Sequence, residues 1–310
     1  MQLTNHRIKL NEVGLRDGLQ LEEVIVTVQD KKLLYEMIKR AGVESFEFGA
    51  FVHPKRVPQM ANSDAFYEEV ISDAEQIALI GLIPNMRGAE RAAAAGVKEV
   101  NYVLSVSDTH NLQNVQQPTN KSMEDLIGIH HYCKGKGIAL HVSFATTFGC
   151  PFEGEIAAER VLELIGQLSE LDIASITLAD TTGMANPKQV EDLVRKVVKQ
   201  FPEQRFRLHF HNTRGMGLTN ILAGIEAGIY EFDTALGGIG GCPFAPGATG
   251  NVCTEDVVHM VESMGMKTGT DLTGLLEASG ELAKIIGHET ASYLTKAGPS
   301  SRRYPVPIAK

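Results

Sequence analysis

One junction recurs along this chain of 310 residues and restricts its fold more than any other feature. A stretch with helical spacing of apolar residues ends at a glycine, and a short apolar run typical of a buried strand follows at once. The chain therefore repeats one unit, in which a strand is followed by a helix. The junction occurs at residues 41–43, 95–97, 136–138 and 227–229, and residues 171–173 take its place once with aspartate instead of glycine.

Counting these units predicts eight strands that alternate with helices. Strict alternation implies a parallel sheet with right-handed crossovers. Eight units that close on themselves form a (β/α)8 TIM barrel of the α/β class, and the length of this chain fits such a barrel. The predicted strands cover residues 8–13, 43–48, 77–82, 99–104, 139–144, 175–178, 206–210 and 230–235.

The competing fold is an open doubly wound sheet, which normally carries a GxGxxG fingerprint at its first strand-to-helix turn. The first turn here reads GLRDG, at residues 14–18, and lacks that spacing. We therefore predict a single catalytic domain over residues 1–310, with the barrel at about residues 6–265 and a C-terminal helical extension and tail at about 266–310. Predicted helices include residues 157–171, 187–200, 254–264 and 272–286.

Composition narrows the possible partners and compartments. The chain is 22% charged with a formal net charge of -9, and this acidic balance disfavours nucleic acid as a partner. No run of apolar residues is long enough to span a membrane. The first ten residues lack the apolar core of a targeting peptide, so we expect a cytoplasmic protein. The four cysteines show no CxxC spacing, which argues against a structural zinc site and a disulfide framework.

A histidine pair, His209 and His211, closes the seventh predicted strand. Residues two apart on a strand point to the same face, so both imidazoles project side by side. A bare pair of this kind is about as often hydrogen-bonded as metal-binding, and the residues around it must decide.

In a barrel, functional residues lie at the carboxyl ends of the strands and in the loops that follow. That rule brings Asp17, after the first strand, and Asn251, after the eighth, to the same mouth as His209 and His211. Oxygen and nitrogen ligands without thiolate suit Mg²⁺ or Mn²⁺ better than a structural zinc. The four residues therefore form a candidate divalent-metal shell.

Other polar residues reach the same mouth. Glu47 lies between two phenylalanines on the second strand, and a buried carboxylate needs a partner, for which Arg16 or one of the histidines of the pair is the obvious choice. Asp180 ends the sixth strand and is either a cap for the following turn or a site residue. Cys242 lies in a segment with six glycines between residues 237 and 250, and its thiol is either a packing group or a catalytic acid presented by a lid.

At these residues the chain resembles the 3-hydroxy-3-methylglutaryl-CoA lyases, within the superfamily of metal-dependent barrel lyases and Claisen synthases. The resemblance covers nearly the whole chain apart from the tail. It is carried by VGLRDGLQ (residues 13–20), SFEFGAFVHPKRVPQM (45–60), HFHNTRG from His209, and GGIGGCPFAPGATGN (237–251), with GCPFEG (149–154) in addition.

The resemblance implies a role for each candidate residue. The family's catalytic residues fall on Arg16, Glu47 and the lid cysteine Cys242. Its substrate-binding positions fall on Gln20 and Asp180. Its metal ligands fall on Asp17, His209, His211 and Asn251.

The implied reaction is a retro-Claisen cleavage of 3-hydroxy-3-methylglutaryl-CoA into acetyl-CoA and acetoacetate. Arg16 and a divalent cation, Mg²⁺ or Mn²⁺, would stabilise the alkoxide, and Cys242 would protonate the acetyl-CoA enolate. The general base is not assigned. The implied partner is an acyl-CoA, and the family suggests a homodimer or higher homo-oligomer.

Two departures from the lyase pattern keep alternatives open. Asn212 stands where the lyases usually have aspartate, and residues 104–110 are more similar to the condensing synthases. The alternatives are a lyase for a related 3-hydroxyacyl-CoA, such as citramalyl-CoA, and a Claisen-condensing acyltransferase. A metallohydrolase normally has its histidine pair on the first strand, whereas here the pair closes the seventh.

Overall fold

Eight parallel strands close into a barrel in the order of the sequence, with β8 hydrogen-bonded to β1. A computed structural model describes residues 6–241 and 250–306 of the chain. The predicted TIM barrel is confirmed, and every predicted strand overlaps an observed one. In this part of the chain the strands are β1 (Lys9–Glu12), β2 (Ser45–Ala50), β3 (Ala78–Ile83), β4 (Glu99–Ser105), β5 (Ala139–Ala145), β6 (Ser175–Asp180), β7 (Phe206–Phe210) and β8 (Glu231–Thr234).

Helices surround the barrel and alternate with its strands. Glycine recurs at their carboxyl ends because the chain turns there through the left-handed region, as at Gly137 (φ 67°) and Gly228 (φ 110°). The helices in the described residues are α1 (Val28–Arg40), α2 (Ser63–Val70), α3 (Met86–Ala94), α4 (Asp108–Val115), α5 (Thr119–Lys136), α6 (Ala158–Gly166), α7 (Pro187–Gln200), α8 (Gly217–Ala227), α9 (Thr254–Ser263), α10 (Leu272–Ile286) and α11 (Tyr293–Ala297).

Helix α7 has the predicted bounds, but α6 is shorter than predicted. The helix ends at Gly166, and the chain continues in tight turns, with Leu168 N bonded to Ile165 O and Leu171 N bonded to Leu168 O, both at 2.9 Å. Leucines three residues apart satisfy the pattern of an α-helix and of such turns equally well, so spacing alone could not place the end.

Side chains on the two faces of β7 lie in different environments, one apolar and one polar. Leu208 and Phe210 point outward and are buried under the helices, where the Phe210 ring lies 5.7 Å from that of Phe148. Arg207 and His209 alternate with them and point into the barrel, where both side chains are buried. The barrel interior is therefore polar around this strand, and it supports the site from below.

The C-terminal extension packs against the start of the barrel. Leu282 of α10 lies with Leu34 and Ile38 of α1 around a small apolar void. Helix α11 is fastened to α9 because Asp256 accepts hydrogen bonds from the Ser292 hydroxyl (3.0 Å) and the Tyr293 amide (3.2 Å). Among the described residues, no helix combines the length and the apolar character that crossing a membrane would require.

The carboxylate of Glu12, at the end of β1, is completely buried. Burial raises its pKa from 4.5 to about 7, although hydrogen bonds from Thr254, Leu236 and Gly14 oppose the shift. Since the folded protein holds this proton more tightly than the unfolded chain, the resulting stabilisation is fully present below pH 4.5 and is lost as the pH rises through 7.

We therefore predict that Glu12→Gln, which stays neutral, removes this pH dependence. The free energy of unfolding of the wild type, minus that of the variant, should fall by about 3 kcal/mol between pH 4.5 and pH 8. Urea unfolding of both proteins across this range measures the difference. A difference that is constant with pH would show that Glu12 titrates normally in the folded protein.

Candidate metal centre and active site

Arg16 and Asp17 lie in a single π-helical turn, Gly14–Gly18, that follows β1 directly. The turn brings the chain against the segment after β8, where a Cβ on Gly18 would meet the side chain of Ile239 at 2.6 Å. Only glycine allows this close approach. The turn thus presses the arginine and the aspartate into the mouth of the barrel, as the strand-end rule predicted.

The expected pair of Arg16 and Glu47 is present. The Arg16 Nε donates to Glu47 Oε2 at 2.5 Å, and Arg16 Nη1 donates to Asp17 Oδ1 at 2.7 Å. Glu47 is only 2% exposed, and its second oxygen accepts from Asn101 Nδ2 at 2.9 Å. The Asn101 oxygen in turn accepts from the Ser143 hydroxyl at 3.0 Å. Both carboxylates therefore hold the guanidinium in one orientation.

Asp17 and the two histidines form a cluster with the spacing of a metal site. One ligand atom from each of Asp17, His209 and His211 can be chosen so that all lie within 4.8 Å of one another. His211 Nε2 is 3.7 Å from Asp17 Oδ2. Although burial opposes ionisation, the neighbouring Arg16 guanidinium holds the pKa of Asp17 well below its usual range. The carboxylate is therefore in the form that binds cations.

Asn251 completes the cluster. Its main chain pairs with His211 in an antiparallel bridge, and its Nδ2 donates to Asp17 Oδ2 at 2.8 Å and to Ile239 O at 3.1 Å. Within the described residues, its buried Oδ1 has no hydrogen-bond partner. A buried amide oxygen without a partner is costly, and a cation beside Asp17 would satisfy it. The residues present thus fit a hard divalent ion.

Asp233, on β8, lies behind the first histidine of the pair. Its Oδ2 is 3.2 Å from His209 Nδ1, and its Oδ1 accepts from Asn11 Nδ2 at 2.8 Å and pairs with Arg207 Nη1 at 3.4 Å. Burial opposes ionisation of Asp233, yet Arg207 keeps its pKa below the ordinary value. An ionised Asp233 accepts a hydrogen bond from His209 Nδ1–H, which leaves Nε2 free to bind a cation.

Sequence reasoning missed Asp233, Arg207 and Asn11. Each is a polar or charged residue inside a predicted barrel strand, and β-strand alternation places each beside an outward-facing apolar residue, for example Phe232 next to Asp233. That signal was available, because the inner face of a barrel strand is enclosed and a charge placed there requires a partner.

Asp180 caps a turn, which is one of the two roles considered for it, and its substrate-binding role stays a prediction. Its Oδ1 accepts from the Met184 amide at 2.7 Å, so it caps the turn after β6. Its main-chain oxygen accepts from the His211 amide at 3.4 Å, which places it beside the cluster. Its Oδ2 is buried without a partner among the described residues, and burial raises its pKa.

The remaining two candidates are less closely tied to the cluster. Gln20 lies half-buried in the short turn Leu19–Leu21, immediately after the turn that carries Arg16 and Asp17. Cys242 lies outside the described residues. Their roles in substrate binding and catalysis stay predictions.

Comparison with known proteins places the chain among acyl-CoA lyases. The family model named HMGL-like matches residues 7–281. An (R)-citramalyl-CoA lyase of Chloroflexus aurantiacus is 39% identical over 301 residues, which cover 94% of this chain and 95% of that protein. A hydroxymethylglutaryl-CoA lyase of Bacillus subtilis is 36% identical over 282 residues, which cover 91% and 94%.

A solved structure gives the same result. An HMG-CoA lyase from Acinetobacter baumannii, in complex with coenzyme A and 3-methylmalate, superposes with a TM-score of 0.92 and is 45% identical. The match covers 97% of this chain and 98% of that one. The likeness therefore extends over the barrel and the C-terminal extension together.

We predict that His211→Ala removes bound divalent metal and activity together, because one of the clustered ligands is lost. Mn²⁺ binding followed by calorimetry, together with a turnover assay, measures both effects. His141→Ala is the matched control, since His141 is also buried but bonds Ser175 and Glu99 instead. Full activity in metal-stripped wild-type protein would contradict a metal-dependent site.

Proposed function

This chain belongs to the HMGL-like family, and on that premise we propose that it cleaves 3-hydroxy-3-methylglutaryl-CoA to acetyl-CoA and acetoacetate in a metal-dependent retro-Claisen reaction. The relatives reported above are lyases, which supports a carbon–carbon lyase. The observation that carries the proposal is the cluster of Asp17, His209 and His211 directly beside the buried guanidinium of Arg16.

The metal would be held by Asp17, His209, His211 and the free oxygen of Asn251. Bound there, Mg²⁺ or Mn²⁺ would supply a Lewis acid for the oxygen atoms of the substrate. The four residues contribute one negative charge between them, so a divalent cation leaves the shell with a net positive charge. Such a shell favours an anionic substrate such as a carboxylated acyl-CoA.

Arg16 would stabilise the charge that develops during cleavage. The C3 hydroxyl loses its proton, its oxygen becomes a carbonyl as the C2–C3 bond breaks, and the bonding electrons pass to the enolate of acetyl-CoA. A guanidinium that Glu47 and Asp17 already hold in place needs no reorganisation when that charge appears. Glu47 is therefore proposed to act by orienting Arg16.

Cys242 is proposed to donate the proton that converts the enolate into acetyl-CoA. The segment that carries it begins and ends at the metal cluster, because Asn251 N donates to Ile239 O at 3.3 Å. Gln20 and Asp180 are proposed to line the substrate site from the β1 and β6 sides.

We predict that Cys242→Ser lowers kcat at least about 100-fold, because a hydroxyl is a much weaker acid than a thiol at this step. Binding of Mn²⁺ should be unchanged, since the metal ligands are intact. Steady-state kinetics and metal titration of the same preparation test both statements. Unchanged turnover would remove the acid role from Cys242 without affecting the metal site.

A second substrate, (R)-citramalyl-CoA, is favoured by the 39% identity to a lyase that acts on it. Its cleavage breaks the same bond between a tertiary carbinol and an acetyl thioester, but it releases pyruvate instead of acetoacetate. The two substrates differ by one methylene next to the terminal carboxylate. The catalytic groups described above would serve both.

The deciding experiment presents purified protein with each thioester in the presence of Mg²⁺ or Mn²⁺ and identifies the products. We expect acetyl-CoA and acetoacetate from the hydroxymethylglutaryl thioester, with kcat/KM at least about tenfold above that for (R)-citramalyl-CoA, since one methylene is worth 10-fold or more. A preference for the citramalyl substrate, with pyruvate as product, would reverse the assignment. Cleavage of neither would contradict both.

A further inference from the structure

Glu12 is a fully buried acid with no part in the chemistry above. It ends β1, and strand alternation points its side chain away from the barrel interior, because its neighbour Asn11 bonds Asp233 inside. Another buried acid, Glu255, raises the pKa of Glu12 further, after the larger effect of burial. Burying a carboxylate without a cation is costly, so its retention needs a reason.

Three separate segments donate hydrogen bonds to this carboxylate. Oε1 accepts from the Gly14 amide and from the Leu236 amide, each at 2.8 Å. Oε2 accepts from the Thr254 hydroxyl at 2.5 Å. A Cβ on Gly14 would lie 2.5 Å from Oε1, so the turn approaches the carboxylate as closely as glycine permits.

Each donor belongs to a segment that carries part of the candidate site. Gly14 begins the turn that holds Arg16 and Asp17. Leu236 begins the amino-terminal stem of the glycine-rich segment, which we define as residues 236–241. Thr254 ends its carboxy-terminal stem, residues 250–254, which contains Asn251.

The two stems and the turn meet again at the metal cluster. Asn251 Nδ2 bonds Ile239 O of the other stem and Asp17 Oδ2 of the turn. The same three segments are therefore joined twice, once by Glu12 at the base and once by Asn251 at the cluster. A shift of any segment at the base would change the separation of Asn251 and Asp17.

We propose that Glu12 is a positioning residue whose carboxylate fastens the Arg16–Asp17 turn to both stems and so holds Asn251 against Asp17. The inference rests on the proposed metal site for its effect on metal binding, but the fastening itself does not depend on a metal. Glu12 acts through the segments it joins and touches neither substrate nor cation.

Protonation does not break this arrangement. The Thr254 hydroxyl also lies 2.9 Å from the Thr234 hydroxyl, so it can turn its proton there and accept one from Glu12 instead. A glutamine at position 12 can make the same contacts, with its oxygen toward the two amides and its NH₂ toward Thr254. Methionine has nearly the same volume but leaves the Gly14 and Leu236 amides without a partner and the Thr254 hydroxyl with Thr234 alone.

The test compares Glu12→Met and Glu12→Gln in the full chain. Asp256→Leu is the matched control, because Asp256 is a buried acid that accepts hydrogen bonds from Ser292, Tyr293 and Leu294 at the start of α11. The measurements are the Mn²⁺ dissociation constant well below the melting temperature, the melting temperature itself, and hydrogen exchange of the turn and both stems.

Glu12→Met is expected to weaken Mn²⁺ binding about tenfold or more and to speed exchange in the turn and both stems. Glu12→Gln should stay near the wild type in both readouts. Asp256→Leu should melt at a lower temperature but bind Mn²⁺ normally. Folded Glu12→Met protein with normal binding and exchange would overturn the inference, and so would an equal loss of binding in Asp256→Leu.

If Glu12→Met does not fold, Thr254→Val and Thr254→Ser provide the same comparison. Valine removes the hydroxyl bonds to Glu12 Oε2 and to Thr234 Oγ1, so it should weaken Mn²⁺ binding and speed exchange in the carboxy-terminal stem, while serine should restore both. Equal behaviour of the two variants would overturn the inference. Hydrogen exchange is measured without metal. A wild type that binds no Mn²⁺ would therefore contradict the proposed metal site, while the exchange rates of the variants would still test the fastening.

Discussion

The buried ion pair between Arg16 and Glu47 is the contact on which the geometry of the candidate site depends. Removing both charges from water costs several kcal/mol per ion, and the pair regains this only if every donor and acceptor is satisfied. The barrel meets that condition through Asn101 and Ser143 below Glu47 and through Asp17 beside Arg16. The guanidinium is consequently fixed by the barrel wall and cannot adapt its position to the ligand.

The same logic extends across the barrel interior. Asp233 contacts His209, Arg207 and Asn11. The buried ion pair of Asp233 and Arg207 therefore holds His209 in place, just as the pair of Glu47 and Arg16 fixes Arg16. Polar groups occupy interior positions that barrels usually fill with branched apolar residues. Hydrogen bonds and ion pairs among these polar groups therefore stabilise them. The apolar core lies outside the strands, under the helices.

The residues that the sequence predicted and those that it did not predict differ in their position in the barrel. His209, Asp17 and Glu47 could be predicted because the ends of parallel strands in a barrel converge on one mouth. Asp233 and Glu12 act within strands or at their base, where their importance appears only once the register brings partners from distant strands together. The repeated junction predicted the positions of the strands. The end of α6 could not be predicted in the same way, because the helical spacing of leucines continues into the turns that follow the helix.

Asn212, the departure from the lyase pattern, illustrates which differences matter. Its side-chain Oδ1 accepts a hydrogen bond from the main-chain amide of Gly217, at the start of α8, at 3.0 Å. Its main-chain amide donates to Gly250 O. An aspartate at this position would offer the same acceptor to Gly217 but would add a negative charge next to His211. Discrimination between acyl groups one methylene apart amounts to about 1–3 kcal/mol, and such a difference must come from residues that line the acyl chain, not from the buried network around the candidate metal site.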